Sequence, residues 1–168
     1  MGMEFIGRRL SRDELRAVRD APVTAVGVLL YGDLDDDDAE MPEPELDLGR
    51  FWHAIHYLLT GTAWETGGAP AAAAILGGEE AGGGRGYGPA RVLGPGAVRA
   101  IAAALDAVDA RTLRARFGPG AMAAAQIYPG IWASGAVEFS VLAAHLAGLC
   151  RFYGAAAENG EAVLLAIT

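Results

Sequence analysis

Apolar residues recur along this chain in two rhythms. The closing stretch AVLLAI (162–167) is apolar at every position, which predicts a strand buried on both faces. The opening GMEFIGR (2–8) predicts a second short strand, and ARVL (90–93) a third. Elsewhere apolar positions return every three or four residues. Ser11 with Glu14 three places on forms a capping box and starts a helix over 12–19, which Ala21-Pro22 breaks. Leu48, Phe51, Trp52, Ile55, Leu58 and Leu59 share one arc at ~100° per residue. They predict a helix with Asp47 as its N-cap and Gly61 as its left-handed stop. Gly94-Pro95 opens another, where proline at the first turn gives up only an N–H the helix does not use. Asp109 caps a segment through Phe117, and Gly118-Pro119 restarts a short alanine-rich helix to Gln126. Phe139, Leu142, Leu146, Leu149 and Tyr153 then predict a long helix over 136–157, and Asn159-Gly160 a tight turn before the last strand. The run VTAVGVLLY (23–31) fits a strand by its β-branched residues and a short helix by its length.

Three segments carry neither rhythm. Residues 32–46, GDLDDDDAEMPEPEL, predict a solvated, mobile acidic loop. Residues 77–89 are glycine-rich and predict a flexible loop, and IYPGIW (127–132) a loop or edge strand. The expected architecture is therefore α/β: a small central mixed sheet with helices packed on both faces, in a single compact domain over 1–168.

Composition sharpens this picture. Apolar residues make up 52% of 168 residues, enough for a real core. The net charge of −8 is concentrated, since 33–47 holds nine acids and no base. Every basic residue is arginine and none forms a stripe, which argues against nucleic acid and against an anionic membrane surface. One cysteine, Cys150, allows no internal disulfide and no all-cysteine zinc site. The chain opens on no signal peptide, and its longest uncharged apolar stretch, 139–150, is short for a membrane span. A cytoplasmic location is the expectation.

The residues able to do chemistry are few. His53 and His56 sit three apart on a predicted helix, a spacing that can hold a metal. The third ligand is missing and the zincin pattern is absent, so no metal is expected; a pocket wall suits the histidines better. Cys150 falls in an apolar stripe, where a thiol is inert. The three serines, Ser11, Ser134 and Ser140, lie outside any nucleophile-elbow motif. Gly84-x-Gly86-x-Gly88 is followed, not preceded, by a strand, so it does not read as a dinucleotide site, and no cofactor is expected. Asp33, Asp35 and Asp37 begin like a calcium loop, but Asp38 and Pro44 stand where glycine and glutamate are needed. Arg91 is open to two readings: a salt bridge or carbonyl clamp, or an anion anchor.

Several phrases together carry a resemblance. They are Gly2-Met3; Leu46-Asp47 with Trp52-His53-x-x-His56 and Leu59-Thr60-Gly61; Gly77-Gly78-Glu79-Glu80 with Tyr87-Gly88-Pro89-Ala90-Arg91; Ile127-Tyr128-Pro129 with Trp132; and the closing 158–164, ENGEAVL. In this order, over nearly the whole chain, they resemble the YfbM-like family of small bacterial proteins. The resemblance implies a compact α/β domain and a helix at 23–31. It implies no activity and carries over no catalytic residue. Gly118 departs from the family pattern, which has an acid before that proline.

The functional expectation is a non-catalytic module that binds a protein or small-molecule ligand, of the immunity or regulatory kind. Its surface would combine Asp47, Trp52, His53, His56, Arg91, Tyr128 and Trp132. Two alternatives stand beside it. One is a small hydrolase-like enzyme with a histidine base, oriented by Asp47 or Glu80, and Arg91 as anion anchor. The other is a structural subunit that pairs as a homodimer.

Overall fold

The computed structural model describes residues 2–32 and 35–168. In chain order the elements are β1 (Phe5–Leu10), α1 (Arg12–Asp20), α2 (Pro22–Tyr31), β2 (Leu46–Gly49), α3 (Trp52–Thr60), α4 (Ala73–Leu76), β3 (Glu79–Gly86), β4 (Gly88–Leu93), α5 (Pro95–Asp106), α6 (Ala110–Arg116), α7 (Pro119–Ala124), α8 (Phe139–Glu158) and β5 (Ala162–Ile167). The strands form one sheet in the order β2-β1-β5-β4-β3. All four pairings are antiparallel, so the sheet is not mixed as expected. The three strands legible in the sequence are its centre.

β5 explains the layering. Val163 and Leu165 belong to one apolar cluster, with Leu58, Ile101, Leu149 and Tyr153. Ala162, Leu164 and Ala166 belong to a second, with Val18, Val26 and Leu30. Side chains alternate across a strand, so an all-apolar strand needs a cover on each side. α1 and α2 cover one face, and α3, α5 and α8 the other. The segment 23–31 is helical because tertiary cover, not β-propensity, decides it. α8 is 20 residues long and, by length and composition alone, apolar enough to cross a membrane; its inner side, Leu142 to Ala156, packs in the core.

Three local expectations need correction. Asp47 does not cap α3. Leu46 and Leu48 point inward and Asp47 outward on β2, with its carboxylate accepting from Gly49 N at 2.7 Å. Leu48 fits the helical arc only by coincidence of spacing, and the helix starts four residues later behind Phe51, without a side-chain cap. The glycine-rich loop is largely a strand. A Cβ at Gly84 would lie 2.3 Å from Gly88 O, and one at Gly86 2.4 Å from Ile167 O. These glycines permit close backbone approach in a bulged hairpin, which a propensity reading mistakes for flexibility. The acidic segment is tied down at its end, where Glu45 N donates to Gly7 O and the Glu45 carboxylate meets Arg9. Asp33 of the expected acidic loop lies outside the described residues.

Candidate functional site

The expected surface resolves into two places joined by a residue the sequence reading missed. On the first, α3 holds Trp52, His53 and His56, all buried at 1% exposure. Tyr128 N donates to His53 Nδ1 at 2.9 Å, so the proton sits on Nε2, which lies 2.8 Å from Ala63 O. The ring thus ties α3 to the 61–65 turn and to the loop around the cis Tyr128–Pro129 bond. Trp52 stacks on His53 at 4.9 Å and on Tyr128 at 6.1 Å. Tyr128 OH accepts from Met3 N at 2.8 Å, and the Trp132 indole donates to Ile127 O at 2.8 Å. Trp132 is 2% exposed, and its nearest ring in the group's direction is Phe51, at 6.3 Å. These side chains are brought together, but as a core rather than a surface.

The electrostatics agree. Burial holds the His53 pKa below its ordinary value, with the Ala63 carbonyl pulling the other way. Burial, then repulsion from His53, lowers His56 to about 4, and the Glu65 backbone only partly offsets this. His56 Nε2 and Trp52 Nε1 are buried without a hydrogen-bond partner among the described residues, a real cost to folding. Among the described residues no carboxylate bonds to either imidazole, so the expected orienting acid for a histidine base is missing. Nor is any group of three or more His, Cys, Asp or Glu disposed around a metal among the described residues. Cys150 is half-buried, and burial, then Asp106, pushes its thiol up.

The second place is a groove of about 430 Å³ over one end of the sheet. Its floor includes Phe5, Leu165 and Ile167, its walls Ile75 and Leu76, and Trp64 and Tyr87 border it. Both of these aromatics stand well out, at 63% and 53% exposure. Among the described residues Arg91 is the one charged residue lining it. Its position is unusual. Leu93, two residues along β4, and Leu165, its partner on β5, both belong to the core cluster on that face. The alternation of β4 therefore points Arg91 to the inner side of the sheet, where α3 and α4 stop short of covering it. Its guanidinium lies 3.4 Å from Gly78 O and 3.6 Å from Glu80 Oε1. Charge-assisted contacts of full strength are shorter, about 2.7–2.9 Å. The clamp reading of Arg91 is thus present but slack.

Trp64 links the two places, packing on His53 at 4.2 Å behind and facing the groove in front. Asp47 on the edge strand belongs to neither. Trp64 and Tyr87 were readable only as aromatics stranded among glycines, in GTAWETGG and GYGP. A larger hollow at the start of α8 is less apt, since Arg114 there already lies 5.1 Å over the Phe139 ring.

This five-stranded antiparallel sheet, covered on both faces and carrying such a groove, defines an α/β domain. The chain belongs to the family described as a domain of unknown function, DUF1877, whose model matches residues 1–166. Among solved structures it is similar to YfbM of Escherichia coli, a protein of unknown function, at 19% identity and TM-score 0.72 over 99% of each chain. That likeness concerns the fold alone. No curated protein matches the chain.

Proposed function

We propose that this chain is a non-catalytic binding module whose site is the groove over Arg91. One observation carries the reading: a guanidinium on an inward-facing strand position, among apolar neighbours, with only slack bonds of its own. Sequences place apolar residues at such positions unless the site has another use. Two exposed aromatics beside an arginine have the composition of a recognition surface, and the volume lies within the usual range for ligand pockets, about 300–1,000 Å³. Among the described residues no histidine, cysteine or carboxylate lines the groove, which favours binding over the hydrolase alternative.

A fragment screen by two-dimensional NMR tests this. Shifts should cluster on Trp64, Tyr87 and Arg91 and leave the exposed Asp47 region unmoved. Shifts concentrated elsewhere, for instance around Arg114 and Phe139, would overturn the assignment.

A further inference from the structure

Resting on that reading, we infer that the groove takes a planar organic monoanion: a carboxylate joined to a flat apolar body. The argument starts from charge. The protein carries a net charge of −8, yet among the described residues the only charged one lining this groove is a cation. An ammonium ligand would meet Arg91 and be repelled. A neutral apolar ligand would leave the guanidinium desolvated with bonds of 3.4 and 3.6 Å, a costly arrangement. A carboxylate can take both guanidinium N–H donors at once. One arginine balances one negative charge, which suits a monoanion better than a phosphate monoester.

Shape supplies the other half. Trp64 exposes much of its indole toward the groove while His53 backs it at 4.2 Å. It is a supported flat wall, because His53 is itself fixed by two backbone bonds. Tyr87 borders the groove too, held in the short β3–β4 connection by its N–H bond to Ile167 O at 3.0 Å. The apolar side chains from Phe5 to Ile167 give a flat body a surface to pack on. Glu80, 66% exposed at the sheet edge, is the guanidinium's resident counter-ion. Ligand binding exchanges that long contact for shorter ones.

The test uses three probes on the full chain: 2-naphthylacetate, 2-naphthylmethylamine and acetate. The first two share a ring and differ in charge; the third lacks the ring. Trp64 is the exposed one of three tryptophans, so its indole ¹H–¹⁵N signal reports the groove, with calorimetry giving affinity. The acid should move the Trp64 signal and bind at least about tenfold tighter than the amine or acetate, the scale of one charge-assisted pair. Arg91→Gln should abolish that preference, Arg91→Lys should keep part of it, and Glu80→Gln should tighten the acid. Amine and acid binding equally, both moving Trp64, would overturn the anion inference and leave the groove reading intact. Probes that bind without moving Trp64, or none binding at 10 mM (about the weakest affinity worth assigning), would overturn both.

Discussion

His53 and the Arg91 groove make opposite use of polar side chains. His53 has everything that sequence reading associates with chemistry, yet both its nitrogens are spent on backbone groups and its ring is shut away. Arg91 has no catalytic motif around it, yet it keeps donors in reserve beside open space. Residue type says what a side chain can do; its unspent hydrogen-bonding capacity says what it is still able to do.

This contrast predicts the largest effect at His53. His53→Ala strips Tyr128 N and Ala63 O of their partner and leaves a hole between Trp52 and Trp64. Two part-buried backbone groups at about 1 kcal/mol each, plus the packing lost around a ring that is itself buried, give a destabilisation of about 3–5 kcal/mol. Urea denaturation measures it. A loss below about 1 kcal/mol would mean that the imidazole is not a structural tie.

The second effect is one of pH. His56 takes up its proton near 6.5 when unfolded and at about 4 when folded. Between those values the unfolded state binds more protons. The stabilisation is fully present above pH 6.5, declines as pH falls through the window, and is gone below about 4. At ~1.4 kcal/mol per unit the decline reaches up to about 3 kcal/mol. His53 adds to it in the same direction. Histidine ring signals followed by NMR should keep their neutral positions for His56 down to near pH 4; titration near 6.5 would break the comparison.

How much of this was legible depends on where the information lives. Period and capping are local, so α1, α5 and the strand β5 can be read directly: Ser11 and Glu14 cap as their spacing says. The β2 strand at Leu46–Gly49 was not legible, because four residues carry too little alternation to compete with a helical arc. The β3 glycines were misread because their cause, the Gly88 and Ile167 carbonyls, lies on other strands. The histidine cluster was legible as a cluster, since Trp52, His53 and Tyr128 do meet. Its burial was not, because the cover comes from Ala63 and Trp64. Trp64 escaped notice for the same reason: its role is set by what stands on either side of it.

A smaller effect is expected at Arg116, whose guanidinium donates to Leu58 O and Leu59 O, each at 2.8 Å. These are carbonyls of the last turn of α3, which no helical N–H reaches. Arg116→Ala should cost about 1–2 kcal/mol, because each net bond is worth about 0.5–1.5 kcal/mol and the site is partly open to water. It sharpens the comparison by showing a well-spent arginine. Arg116 makes two short bonds and should register in stability where Arg91 does not.

Arg91→Gln is therefore the smallest effect on folding and the most informative. Its ion pair with Glu80 is long and exposed, of the class worth about 0–1 kcal/mol. Glutamine keeps much of the aliphatic stem against the groove floor and removes a charge from an inward position. The two terms oppose, so the midpoint in urea should shift by less than about 0.5 kcal/mol in free energy. A loss of about 3 kcal/mol or more, the scale of a broken buried pair, would mean that Arg91 is a structural clamp like His53. The groove would then have no cation to spare, and the distinction between the two regions would collapse.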